Sequence, residues 1–312
     1  MKIVFLDRKT IGEDIDLSSF DRFGEVVIYD FSKPGEVPSR VEDADIIVLN
    51  KVPVNEETIG NATKLKLVCV TATGVNNLDL EYLESKNIQW RNVAGYSTQT
   101  VTQHTFALLF YLFENLSYYD KYVKDGGYTK DFMFTHFEKR FEELCGKTYG
   151  IIGLGAIGRQ VAMVAKSFGC NVQYYSTSGA NHDTEFKEVS FDELLATSDI
   201  ISIHAPLNDK TANLIDKDAL SKMKKTAILL NLGRGPIVNE KDLADALEEG
   251  TIRAAGLDVL SIEPIEENNP LLRIKDSTKL LITPHIAWAS VEARTRLMKI
   301  IEDHIDKFIS QA

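Results

Sequence analysis

Short runs of β-branched and other apolar residues, each bounded by polar turn residues, alternate along the chain with stretches whose apolar positions fall at helical spacing. That alternation is the pattern of parallel sheets covered by helices. The runs Ile3–Leu6, Val26–Tyr29, Asp45–Leu49, Leu67–Thr71 and Ile88–Trp90 predict a first set of strands. From Tyr149 onward a second set begins: Gly150–Ile152, Asn171–Tyr175, Ile200–Ile203, Ala227–Leu230, Ala254–Leu257 and Leu280–Thr283. Between them lies Val101–Phe113, apolar on most faces and long enough to cross a small domain as one buried helix, which suits a spine joining two units. After the last strand, Ser290 is placed to cap a helix whose residues Leu297, Ile300, Ile301, Ile305 and Ile309 share one face. The expected fold is α/β, with two Rossmann-like or flavodoxin-like doubly wound parallel-sheet domains and a cleft between them. Residues 1–97 plus 289–312 would form one domain and residues 98–288 the other.

Length and composition narrow the function. A chain of 312 residues suits two domains at roughly 150 residues each. No apolar run reaches about 18 residues, and Met1–Asp7 reads as a first strand, so a cytoplasmic protein with no membrane partner is expected. Lys plus Arg number 35 against 46 Asp plus Glu, a net charge of -11, and no basic stripe stands out; a nucleic-acid partner is not expected. Cys69, Cys145 and Cys170 lack metal-ligand spacing and read as buried thiols in a reducing compartment, so no metal is expected.

The stretch Tyr149–Gly158 carries candidate chemistry. Gly153, Gly155 and Gly158 follow an apolar run and precede an amphipathic one. In that order the first glycine makes a tight turn out of a strand, the second lets backbone approach a pyrophosphate, and the third lets a helix press on the sheet. The N-H groups of Gly155, Ala156, Ile157 and Gly158 would then face the anion. This is dinucleotide chemistry, and it makes residues 98–288 the dinucleotide-binding domain and the remainder the substrate domain. At the end of the next strand, where NAD sites carry an acid, this chain has Ser176-Thr177-Ser178. A carboxylate would repel the 2'-phosphate of NADP whereas hydroxyls accept it, so the site admits NADP as well as NAD.

Three further segments place polar residues just past apolar strands: Asn231-Leu232-Gly233-Arg234-Gly235-Pro-Ile-Val238, Gly256-Leu-Asp258-Val-Leu-Ser-Ile-Glu263-Pro264, and Thr283-Pro-His285-Ile-Ala-Trp288. Together with the glycine turn, and in this order, they resemble the D-isomer-specific 2-hydroxyacid dehydrogenase family over essentially the whole chain. The segments Asn50-Lys51-Val52, Thr71–Asp79 and Gly95–Phe106 are most similar to the glycerate dehydrogenase, or hydroxypyruvate reductase, branch. The resemblance implies that His285 is the acid/base, Glu263 its partner and Arg234 the substrate anchor. Each role also suits the chemistry. Reduction of a 2-oxo acid needs a proton near neutral pH, which histidine supplies. A carboxylate on the other ring nitrogen sets the tautomer and favours the imidazolium. A guanidinium matches a carboxylate with a rigid fork of donors.

The resemblance further implies that Thr73, Gly74 and Lys51 bind substrate from the other domain and that Trp288 walls the pocket. Asp258 would contact the nicotinamide carboxamide. His204-Ala205-Pro206, Asn231-Leu232-Gly233 and Thr102 would lie against the cofactor. A cleft site implies closure, with hinges near Gly95 and before Ser290. Of the other histidines, His104 reads as a packed, hydrogen-bonded core residue; His136, His182 and His304 read as solvated. The aromatic segment Tyr128–Phe137 is either a loop folded on its own domain or, as in the resembling family, an arm embracing a second subunit, which favours a homodimer. The favoured activity is NAD(P)H-dependent reduction of hydroxypyruvate or glyoxylate to the D-2-hydroxy acid. The rivals are a non-catalytic, nucleotide-sensing corepressor-like protein of the same fold and a methyltransferase, which would leave the second half of the chain unexplained.

Overall fold

A computed structural model describes residues 1–180 and 182–311, so Ala312, the last residue of the first expected domain, lies outside the described residues. The chain divides into two compact units, Met1–Ser97 with Trp288–Ala312, and Thr98–Ala287.

The first unit holds a sheet in the order β2-β1-β3-β4-β5, built from β1 (Lys2–Phe5), β2 (Glu25–Ile28), β3 (Ile46–Leu49), β4 (Leu67–Val70) and β5 (Gln89–Arg91). All its pairings are parallel. β3 and β4 are buried along their whole length, which is why they read as unbroken apolar runs. Successive side chains serve opposite faces. Ile3, Phe5, Ile46 and Val48 pack with Leu297, Ile301 and Ile305, whereas Val4, Ile47, Leu49 and Val68 pack with Val37, Ile59 and Leu83. The terminal helix runs Val291–Gln311, and the Ser290 hydroxyl accepts the Ala293 N-H at 3.2 Å, the cap expected of it.

The second unit holds a parallel sheet in the order β12-β11-β10-β9-β6-β7-β8. Its strands are β6 (Thr148–Ile152), β7 (Asn171–Tyr175), β8 (Lys187–Glu188), β9 (Ile200–Ile203), β10 (Ile228–Asn231), β11 (Ala254–Leu257) and β12 (Leu280–Ile282). Strand order reverses between β6 and β9, the switch point beside which open α/β sheets bind ligands. The helix Thr98–Phe113 lies on this sheet. Gly256 makes room for it, since a Cβ there would come within 2.9 Å of Leu230 and 3.2 Å of Leu108.

Some expectations need correction. Cys69 and Cys170 are buried free thiols, but Cys145 is exposed, because it stands in a turn ahead of β6 rather than in an apolar run. His136 is not solvated: it stacks on Tyr122 and meets the Tyr118 hydroxyl at 2.8 Å through Nε2. His304 has a buried Nδ1 without a partner. The segment after Lys130 does not fold its rings inward; Phe132, Phe134 and Phe137 are 96%, 88% and 75% exposed. Among the described residues no helix is long and apolar enough to cross a membrane, and no group of acidic, His and Cys side chains is arranged to hold a metal ion.

Candidate active site

The polar residues singled out from the second half of the chain stand at the carboxyl ends of neighbouring strands. In sheet order they are His285 past β12, Asp258 past β11, Arg234 past β10, His204 past β9, the glycine turn past β6 and Ser176 past β7. With strands about 4.8 Å apart, this row extends roughly 24 Å, which suits an elongated ligand.

At the middle of the row, Gly153 has φ +92° and a Cβ there would meet the Ala205 backbone at 2.9 Å. Gly158 lies so close to Gly153 that a Cβ would fall 2.2 Å from its carbonyl oxygen, whereas Gly155 faces open space. Gly155 caps the helix Ala156–Ser167 without any side-chain cap and with no acid in the first turn. A turn that is packed tightly from below and open above fits a bound pyrophosphate. Two buried polar atoms along the same edge lack partners among the described residues: Ser176 Oγ, on a residue 9% exposed, and His204 Nδ1. Both fit the residues expected to touch a dinucleotide. The other ring nitrogen of His204 meets Ser202 Oγ at 3.0 Å, and burial pushes the imidazole down to about 3, so it is neutral near pH 7. Arg159, in the second turn of the glycine-led helix, pairs with Asp183 in the segment that follows Ser178.

At the other end of the row, His285 Nδ1 lies 2.7 Å from Glu263 Oε2. The second oxygen of Glu263 accepts the Leu260 N-H at 2.9 Å, so the carboxylate is itself anchored. An acceptor on Nδ1 places that nitrogen's proton toward Glu263 and leaves Nε2 for chemistry. His285 adopts φ +55°, a left-handed conformation uncommon outside glycine, and its N-H donates to the carbonyls of Asp258 at 2.8 Å and Thr283 at 2.9 Å.

Asp258 is 2% exposed. Its Oδ1 accepts from the Thr283 hydroxyl at 2.6 Å and the Ile286 N-H at 2.9 Å, and Oδ2 accepts from the Ala287 N-H at 2.9 Å. Its contacts within the protein therefore hold the His285 turn. Asn231 does similar work for the neighbouring loop: its side chain accepts the Gly233 N-H at 3.1 Å and donates to the Arg234 carbonyl at 3.0 Å. Arg234 donates through Nη1 to the Gly233 carbonyl at 2.8 Å, and among the described residues no carboxylate pairs with it. Gly235, the glycine that follows Arg234 in the motif, joins the two loops; a Cβ on it would lie 1.9 Å from the Leu260 carbonyl carbon.

The remaining expected contacts are less direct. Ala205 and Leu232 are buried, Pro206 and Ser178 exposed, and Thr177 half-buried. The Thr102 hydroxyl donates to the Thr98 carbonyl at 2.8 Å, so its proton is spent inside its helix. In the first unit, Thr73 and Gly74 follow β4, with the Thr73 hydroxyl donating to the Val93 carbonyl at 2.9 Å. Lys51 follows β3, and its N-H donates at 2.7 Å to buried Asp7, which also receives the Asn50 N-H. Trp288 meets Tyr96 edge to face at 6.3 Å within that unit.

The family model for the D-isomer specific 2-hydroxyacid dehydrogenase NAD binding domain matches residues 106–287. A hydroxypyruvate reductase of Blautia hydrogenotrophica is 37% identical, covering 99% of this chain and 97% of its own. A glycerate dehydrogenase of Methylorubrum extorquens is 34% identical, covering 99% and 96%. Among solved structures, an acyclic imino acid reductase in complex with NADPH and D-Arg superposes with a TM-score of 0.88 at 29% identity, covering 100% of this chain and 98% of that one.

Proposed function

The chain belongs to the D-isomer-specific 2-hydroxyacid dehydrogenase family, and from that premise we propose that it reduces a small 2-oxo acid, hydroxypyruvate or glyoxylate, to the D-2-hydroxy acid with NADH or NADPH. The observation that carries the reading is the 2.7 Å contact between His285 and Glu263, in the same row of strand ends as an arginine with no carboxylate partner among the described residues.

When bound, the cofactor would supply the hydride that reduces C2 of the oxo acid. His285 Nε2 gives a proton to the oxygen as the carbonyl becomes an alcohol, and in the reverse direction takes it back. Glu263 holds the ring in the tautomer that points Nε2 outward and stabilises the imidazolium that precedes transfer. Arg234 binds the substrate carboxylate and polarises the carbonyl, which its lack of an internal counter-charge favours. Thr73, Gly74 and Lys51 are assigned to the substrate anion and Trp288 to the pocket wall, which makes the first unit the substrate domain. The Gly155–Gly158 turn would hold the pyrophosphate, Asp258 the carboxamide, and Ser176 the adenosine ribose end. The absence of an acid at Ser176 supports use of NADPH. The exposed rings of Phe132, Phe134 and Phe137 support a homodimer in which a second copy covers them.

Steady-state rates with hydroxypyruvate, glyoxylate and pyruvate, each with NADH and NADPH, test this reading. Turnover of the first two with either cofactor is expected. A protein that binds the nucleotide and oxidises none of it with any of these acids is a sensor, and the proposal fails.

A further inference from the structure

Behind His285 a second histidine is tied to the same turn, and we propose that His104 is a positioning residue for it, acting through Thr283 and Asp258. The inference rests on the reading of His285 as the acid/base. The Thr283 hydroxyl lies 2.6 Å from Asp258 Oδ1 and 3.0 Å from His104 Nε2. A hydroxyl has one proton to give and an ionised carboxylate can only accept, so the Thr283 proton goes to Asp258. His104 must then donate from Nε2 to the threonine oxygen. The donors run one way, from His104 to Thr283 to Asp258, and the His104 tautomer is thereby set.

The carboxylate at the end of this chain receives the backbone N-H groups of Ile286 and Ala287, while the Asp258 carbonyl receives that of His285. Those are consecutive groups of one turn, and at its head His285 is in the left-handed region at φ +55°. Such a conformation persists only where its surroundings impose it. Asp258 is buried, and a buried carboxylate needs strong partners. His104 Nε2 lies 3.5 Å from its Oδ1, and among the described residues His104 is the one cation-capable side chain within 4 Å of it. His104 stands on the helix Thr98–Phe113, so the turn is referenced to a packed helix rather than to another loop. A histidine that merely filled space would need no donor geometry.

The variants His104→Phe, which keeps a ring and loses the donor, His104→Gln, which returns an N-H at similar reach, and Thr283→Val separate the two roles. We expect His104→Phe and Thr283→Val each to lower kcat about tenfold. The double variant should be no worse than either single one, and His104→Gln should recover most of the loss. In the cofactor-free protein, histidine-selective NMR should show the His285 ring signals displaced by His104→Phe and restored by His104→Gln. Wild-type kcat in His104→Phe, additive losses in the double variant, or unmoved His285 signals would overturn the proposal. A wild-type protein inactive on every 2-oxo acid would instead sink the catalytic reading, and the NMR comparison would still decide whether His104 positions the His285 turn.

Discussion

His204 and His285 illustrate how one side chain is given opposite tasks by its surroundings. His285 has a carboxylate on Nδ1 and a partly exposed ring, whereas His204 has a sealed Nδ1 with no partner. Burial pushes His204 from 6.5 down to about 3. Between those values the unfolded chain binds a proton that the folded one refuses, so stability is complete above the unfolded value and declines as pH falls below it. The slope approaches about 1.4 kcal/mol per pH unit. Urea unfolding of the cofactor-free protein between about pH 5 and 7 should therefore lose this slope in His204→Gln. An identical pH dependence in the two proteins would mean that the ring is hydrated.

At the level of strands and loops, function depends on where strands stop and which loops touch. The strand ends are legible because a parallel strand buried on both faces reads as an apolar run: Ala254–Leu257 begins and ends where the apolar pattern does. β8, two charged residues at a sheet edge, carries no such signal. Arg234, Glu263 and His285 lie in segments that follow such runs, but their roles come from the family resemblance that those segments carry, not from the apolar pattern itself. The close approach of Gly235 to Leu260, the pairing of Arg159 with Asp183 and the left-handed backbone of His285 are not legible, because each is a relation between segments rather than a property of one. Gly235→Ala tests the first of these. A methyl group 1.9 Å from backbone cannot be relieved by a rotamer change, so the Arg234 and Glu263 loops must separate. The expected result is a fall in stability of about 1–3 kcal/mol, with kcat/KM for the oxo acid reduced more than cofactor affinity. A fully active, equally stable Gly235→Ala protein would remove the loop contact from the account.

For the molecule as a whole, charge and surface point in different directions. A net charge of -11 keeps copies apart, yet Phe132, Phe134 and Phe137 project from the second unit. Light scattering on the wild type should give twice the chain mass of 34.9 kDa, and replacing the three rings by Ser should halve it; a wild type that is monomeric at micromolar concentration contradicts the assembly. The central claim is that the second unit lines up a nucleotide seat and a carboxylate-tethered imidazole along one sheet edge, each separable from the other. It is tested most directly by measuring turnover and NADPH or NADH affinity side by side in His285→Ala. The expected result is a kcat lowered by about 10²–10⁴-fold with the cofactor dissociation constant essentially unchanged. Normal turnover in a variant that has lost cofactor affinity would contradict it.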